Sequence, residues 1–385
     1  MTTTTNNEQK KLNVPNLRFP EFQGEWEKTK IGDIAIVVGG GTPDTKTSQY
    51  WNGKIQWFTP SEIGRNKYVY NSVRTISEEG LNKSSAKFLP IGTILLSSRA
   101  TVGECSINKK ECTTNQGFQS LIPKENISNE FVYYLIQTKR KDLIRKSCGS
   151  TFLEISANEV RKIVVSIPTI KEQDKIAKLL SLLDERIATQ NKIIEDLKKL
   201  KSAISKKLLC NDKWTTYKIQ DIAEIGRGRV ISSVEIDRQK HPLYPVYSSQ
   251  TSNDGIMGYL DSYMFDDEYI TWTTDGANAG TVFYRKGKFN CTNVCGTLKI
   301  QPKFDCYFVS LVLQQATQKY VSSNLANPKL MNNTMASIKI RMPNIETQKQ
   351  LSKVFQTLDS CLLVHQRTCK MYLSEKQYLL CQMFI

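Results

Sequence analysis

Trp26-Glu-Lys-Thr-Lys-Ile-Gly-Asp-Ile-Ala35 opens one half of the chain, and Trp214-Thr-Thr-Tyr-Lys-Ile-Gln-Asp-Ile-Ala223 opens the other. Trp, Lys, Ile, Asp, Ile and Ala recur at one spacing, 214 − 26 = 188. A second pair closes each half: Ile167-Pro-Thr-Ile-Lys-Glu-Gln173 and Met342-Pro-Asn-Ile-Glu-Thr-Gln348, spaced 343 − 168 = 175. Self-similarity of this kind marks one structural unit built twice. The second copy is shorter by 188 − 175 = 13 residues, and the loss lies between the matched ends.

Between those ends both halves read as β-rich. The first offers Gly92-Thr-Ile-Leu-Leu-Ser-Ser-Arg99, Cys112-Thr-Thr-Asn-Gln-Gly117 and Gln119-Ser-Leu-Ile122. The second offers Tyr269-Ile-Thr-Trp-Thr-Thr274, Cys291-Thr-Asn-Val-Cys-Gly296 and Thr297-Leu-Lys-Ile300. Short β-branched and aromatic runs bounded by Gly and Asn predict strands. A helical stretch follows in each, over 131–144 and 307–321. The expectation is α+β: two similar β-rich domains, each followed by a long helix.

The period changes after each Pro-x-Ile-x-x-x-Gln segment. Ile176, Leu180, Leu183, Ile187, Ile194, Leu197, Ile204 and Leu208 alternate steps of three and four with two interruptions. Adding 175 gives Leu351, Phe355, Leu358, Leu362, Cys369, Tyr372, Leu379 and Met383. The polar interruptions match as well, Gln190 with His365 and Lys201 with Lys376. Such a ladder is a coiled-coil seam, and polar seam positions fix register at some cost in stability. A helix from Ile176 to Leu208 is a rod of about 50 Å. Two such helices serve most simply as a paired spacer, antiparallel if the halves are related by a twofold-like axis. The expected segments are 1–25, 26–168, 169–211, 212–343 and 344–385.

Composition points to a polyanionic partner. The 385 residues hold 53 Lys and Arg against 37 Asp and Glu, a net charge of +16. That surplus concentrates nucleic acid and favours counterion release. No run approaches the roughly 18 apolar residues of a membrane span. Met-Thr-Thr-Thr-Thr-Asn-Asn-Glu-Gln-Lys-Lys at the start has no apolar stretch behind it and does not read as a secretory signal. Ten cysteines are scattered without a disulfide framework, so reduced thiols in a cytoplasmic chain are expected.

Catalytic signatures are missing. There is no G-x-x-x-x-G-K-[ST] phosphate loop. Gly39-Gly-Gly-Thr-Pro43 and Gly226-Arg-Gly-Arg229 fall near strand ends and read as turns, not dinucleotide fingerprints. Asn327-Pro-Lys-Leu330 lacks the second Pro and the aromatic of an adenine-methyltransferase motif. His241 and His365 are far apart, and Cys291-x-x-x-Cys295 has no partner pair for zinc. Pro60-Ser-Glu62 with Lys67 does not supply the paired carboxylates of a nuclease. No metal and no cofactor is expected on this chain.

The whole resembles a known family. Val14-Pro-Asn-Leu-Arg-Phe-Pro-Glu-Phe-Gln-Gly-Glu-Trp26 is very similar to the opening of type I restriction–modification specificity subunits. Ile167-Pro-x-x-x-Glu-Gln173 leading to Ile176-Ala and Leu183-Asp184 is similar to their helix start. Gly92-Thr-Ile-Leu-Leu-Ser with Asn115-Gln-Gly117 resembles their target recognition core. The second helix start departs from the pattern, with Thr347 where Glu is usual, but keeps Gln348 and Leu358-Asp359. The resemblance implies that each variable domain reads half of a split double-stranded DNA target. It implies that the helices space the domains and dock two methyltransferase subunits, joined by endonuclease/translocase subunits. S-adenosylmethionine, ATP and Mg then belong to those partners. The competing expectation is a stand-alone bipartite DNA-binding protein.

Phosphate contacts position a protein and base-edge contacts specify. The candidate DNA contacts in the first half are Gly40, Gly41, Thr42, Thr59, Ser61, Arg65, Arg99, Thr101, Gln116, Lys139, Arg140, Arg145 and Thr151. In the second they are Arg227, Arg229, Arg238, Tyr247, Ser248, Gln250, Thr274, Asn278, Arg285, Lys286, Asn327 and Lys329. Lys192, Lys198, Lys199, Lys201, Lys206 and Lys207 read as the solvated face of a helix.

Overall fold

The computed structural model describes residues 12–149, 153–209, 212–322 and 327–385. The chain divides into two units, Met1–Gln190 with Thr368–Ile385, and Asn191–Arg367, and each long helix contributes to both.

In the first unit the repeat opening forms a strand, Glu27–Lys30, then a one-turn helix, Ile31–Ile34, and a second strand, Ala35–Gly39. Both isoleucines of the turn are buried, which fixes where the chain reverses. Strand Glu27–Lys30 pairs antiparallel with Val164–Ile167, Glu27 facing Ile167. The second unit repeats this with Thr215–Lys218, Ile219–Ile222 and Ala223–Arg227. There Thr215 faces Met342. The partners are displaced by 215 − 27 = 188 and 342 − 167 = 175, the two spacings of the sequence repeat.

Each unit then has one larger and one smaller sheet. In the first the larger has five strands, ordered Ala35–Gly39, Gln119–Pro123, Ile94–Leu96, Cys105–Asn108 and Tyr68–Val69. In the second it has four, ordered Ala223–Arg227, Cys295–Ile300, Glu268–Thr273 and Val282–Lys286. The smaller sheets place Trp51–Phe58 parallel to Cys112–Thr114, and Tyr244–Tyr247 parallel to Asn290–Cys291. The helical stretches are broken: Asn129–Thr138 gives way to Arg140–Arg145, and Cys306–Ala316 to a 3₁₀ turn, Thr317–Tyr320.

The long helices span Ile170–Leu208 and Ile345–Gln382. At 39 and 38 residues, each is about 57 Å long. In the first unit Ile176, Leu180 and Leu183 share a core with Trp26, Phe131 and Leu135, joined by Leu379, Leu380, Met383 and Phe384. In the second, Phe355 is fully buried with Ile219, Phe308 and Leu313, joined by Leu209. The remaining seam positions are buried or half-buried, with one exception. Leu208, expected on the seam, is exposed, and Leu209 is buried in its place. The helix ends at Leu208, and Leu209, whose N still donates to Ser205 O at 3.0 Å, packs into the core of the second unit.

Within each unit the two helices run antiparallel and share one ion pair. Lys376 Nζ lies 2.6 Å from Asp184 Oδ1 in the first, and Lys201 Nζ pairs with Asp359 Oδ1 in the second. Asp184 and Asp359, like Lys201 and Lys376, are 175 residues apart, so one bridge is made twice. A tyrosine completes it each time: Tyr134 Oη donates to Asp184 at 2.7 Å and Tyr307 Oη to Asp359 at 2.5 Å. The Gln of the repeat is duplicated with equal fidelity. Gln173 donates to Pro168 O and accepts from Ser128 N, both 2.9 Å. Gln348 donates to Pro343 O at 2.8 Å and accepts from Asp305 N at 3.0 Å. These bonds tie the start of each long helix to the start of the domain helix beside it. No described helix is long and apolar enough to cross a membrane.

Candidate nucleic-acid interface

Strand register gathers the loops. In the first unit Gly39 faces Gln119 and Leu96 faces Cys105, so residues 40–42, 97–104 and 115–118 leave the larger sheet at one end. In the second, Arg227 faces Gly296, Thr273 faces Cys295 and Trp272 faces Val282. Residues 228–230, 274–281 and 292–294 therefore emerge together as well. A glycine allows the first loop of each set to cross its neighbour. A Cβ on Gly40 would lie 2.0 Å from Asn115 O, and one on Gly228 would lie 2.1 Å from Cys291 O.

In the first unit Gly41 N donates to Thr114 O at 2.8 Å, and Trp57 Nε1 donates to Gly41 O at 2.9 Å. Thr42 Oγ1 donates to Gln116 Oε1 at 2.5 Å, and Ser98 N to Gly117 O at 2.8 Å. Thr59 and Ser61 hydroxyls are 3.1 Å apart beside them, since Pro60 approaches Gly117. The structure thus brings together Gly40, Gly41, Thr42, Thr59, Ser61, Arg99, Thr101 and Gln116. Arg99 is held 2.8 Å from Glu154, and Arg140 2.7 Å from Glu104. Arg65 is exposed beside Gly64, whose neighbour across the turn is Glu104. Arg145 pairs with Asp142 on its own short helix. Thr151 lies outside the described residues.

In the second unit Asp275 is the organiser. Its carboxylate lies 3.3 Å from Lys329 Nζ and 3.9 Å from Arg227. Gly276 N donates to Pro328 O at 3.0 Å, which lays the segment bearing Asn327 and Lys329 against residues 274–276. Asn278 Nδ2 donates to Ser249 O at 3.3 Å, joining the loop that carries Ser248 and Gln250. Arg229 forms a fork with Glu235, and Arg238 is exposed at the end of helix Ser233–Asp237.

Three expected contacts belong to the framework instead, and a fourth, Lys286, is exposed away from the loops. Arg285 is buried, donating to Thr271 and Asp254 and stacking 3.6 Å from the Tyr247 ring. Thr274 is buried and donates to Asp275 at 3.0 Å. Lys139 reaches Ile385 O at 2.8 Å, and partial burial lowers its pKa. Lys286 faces Glu268, the end of the strand pair away from the loops, about 13 Å off at the rise of a strand.

What sequence reading missed is the acids. Glu104, Glu154, Glu235 and Asp275 each hold a chosen cation, and none is a neighbour of that cation along the chain. Glu62 and Lys67 take separate partners. Lys67 turns to Glu130 at 3.0 Å among tyrosine rings, while Glu62 bonds Thr59. Burial pushes the Cys295 thiol up to about 11, and raises that of Cys291 as well. Among the described residues no three His, Cys, Asp or Glu side chains gather as metal ligands.

Comparison with known proteins agrees with the duplication. The family model for the type I restriction modification DNA specificity domain matches twice, over residues 23–199 and 211–370. The type I restriction enzyme MjaIX specificity subunit of Methanocaldococcus jannaschii is 41% identical over 180 residues, 46% of this chain and 42% of that one. The type I restriction enzyme MpnII specificity subunit of Mycoplasma pneumoniae is 42% identical over 145 residues, 37% of this chain and 43% of that one. The chain spans under half the length of each of these relatives. A crystal structure of a type I restriction–modification S subunit from M. genitalium matches 97% of this chain and 99% of its own, with TM-score 0.68 and 18% identity. That likeness extends to the fold.

Proposed function

Because the chain belongs to the type I restriction–modification DNA specificity family, we propose that it reads a bipartite DNA target, one half with each loop cluster. The observation that carries this is the doubled sheet end, where crossing glycines at 40 and 228 bring cation- and amide-bearing loops together in each unit. Arg99 and Arg227 suit guanine O6 and N7, while Gln116 and Asn278 suit adenine N6 and N7. Lys329, Arg140 and Arg65 suit phosphates, whose contacts set register. Acidic partners hold Arg99, Arg140, Arg227 and Lys329 in place beforehand. Exposed pairs of this kind are worth about 1 kcal/mol or less, so phosphates displace the acids at small cost.

The chain itself performs no chemistry in this reading. The paired helices dock two methyltransferase subunits that use S-adenosylmethionine to modify adenine, and endonuclease/translocase subunits supply ATP- and Mg-dependent cleavage. All of it takes place in the cytoplasm. Binding-site selection on randomised duplex DNA, with the chain bound to its methyltransferase, should return two short asymmetric motifs separated by an unread gap. One continuous motif would count against the proposal.

A further inference from the structure

One strand in each unit enters the loop cluster parallel to its neighbour. Strand Trp51–Phe58 lies beside Cys112–Thr114, and Asn115 N donates to Phe58 O at 3.1 Å. Strand Tyr244–Tyr247 lies beside Asn290–Cys291, and Thr292 N donates to Tyr247 O at 2.9 Å. Phe58 and Tyr247 thus occupy the same place in the two units, and the loops that follow, residues 59–63 and 248–255, are counterparts.

Each loop is pinned by one charged side chain, of opposite sign in the two units. The Glu62 carboxylate accepts from Thr59 N, Thr59 Oγ1 and Val73 N, all at 2.7 Å. It closes its own turn and fastens it to the chain beyond. In the second unit Arg285 reaches up from the sheet. It donates to Asp254 Oδ2 at 2.7 Å and Asp254 O at 2.8 Å, its guanidinium packed between the rings of Tyr247 and Phe283. The loop needs such a hold. Asn253, Asp254 and Gly255 all have positive φ, 50°, 54° and 81°. Side-chain-bearing residues seldom adopt that region, and two in succession cost free energy that the surroundings must offset. A buried arginine is itself costly to place. Here both of its NH groups go to a residue whose side chain is 66% exposed, at the tip of a surface loop and not in the core.

We propose that Glu62 and Arg285 are positioning residues for sequence selection: each presets a loop that adds to base discrimination in one half of the target, beside the loops that carry Arg99, Gln116, Arg227 and Asn278. This rests on the two-reader function above. A preset loop has little entropy left to lose on binding. It also cannot relax to suit a wrong base, so mismatches leave polar groups unpaired. The pins act through the loops they hold and touch no base themselves.

The test is binding-site selection with the full chain co-expressed with its host's methyltransferase subunit, as wild type and as Glu62→Gln, Arg285→Met, Arg285→Lys and Asp254→Ala. Glu62→Gln should lower base discrimination in the first half-target by about tenfold or more, the scale of one lost polar contact, and leave the second unchanged. Arg285→Met and Asp254→Ala should do the reverse. Arg285→Lys keeps the charge and should recover part of the selectivity. Asp254 is exposed, so Asp254→Ala carries the test even if Arg285→Met fails to fold. The proposal is overturned if every folded variant selects the same bases as sharply as wild type. It is equally overturned if Glu62→Gln or Asp254→Ala blurs both halves, or weakens binding with base preference intact. A wild type that selects no two-part target overturns the functional reading, and the pins with it.

Discussion

Glu172 shows how a single residue explains a departure within the repeat. Its carboxylate is buried and accepts from Arg18 Nε at 2.7 Å, Arg18 NH2 at 2.8 Å and Trp26 Nε1 at 3.2 Å. The segment before Trp26 is thereby strapped to the first helix. Trp26 and Trp214 pack edge-on against Phe131 and Phe308 alike, so the difference between the copies is Thr347, which stands where Glu172 does in the first. Glu172→Ala should cost the first unit about 3 kcal/mol in chemical denaturation, because Arg18 and the indole lose a buried partner. A loss below about 1 kcal/mol would mean that the strap contributes little. At this scale the sequence was half legible. The cations and amides of the loop clusters could be chosen by residue type. Arg285 could not be told from Arg99, because burial is decided by which face of a strand meets the smaller sheet. Asp142 and Glu235 lie within a few residues of their cations, but Glu104, Glu154 and Asp275 hold cations far along the chain and gave no local signal.

Among the elements, the helices were the most readable and their termini the least. Periodicity marked the seam, including its polar steps, but Leu208 and Leu209 exchange roles where the helix stops. The two lysine steps prove to be partners of the two aspartates that follow the seam leucines Leu183 and Leu358. Periodicity alone hides such a pairing, since it reports one helix at a time. The bridge in the first unit is well shielded, its lysine and aspartate side chains 16% and 21% exposed. Its counterpart is more open, at 25% and 40%. Lys376→Met should therefore cost about 2 kcal/mol, leaving Asp184 to Tyr134 alone. Lys201→Met should cost less than about 1 kcal/mol after solvent screening. Thermal and urea unfolding of both variants would check the order, and equal losses would contradict the shielding argument.

For the whole molecule, the internal repeat was the strongest signal, because two spacings of matched residues imply that one unit is built twice. What lay between the matched ends was less clear: short strands are set by partners far along the chain. If each unit reads alone, replacing residues 26–165 with those of another family member should change one half of the target and leave the other intact. Mapping methylated adenines in a host carrying the exchange would show it, and a change in both halves would sink the idea. The doubled bridge has one more consequence. Each long helix carries both members of that ion pair, the acid at Asp184 or Asp359 and the base at Lys201 or Lys376. A gene cut to one half would thus encode a self-complementary subunit. Two copies of it would supply both members of two such bridges, and on the two-reader proposal such a pair would read a palindrome.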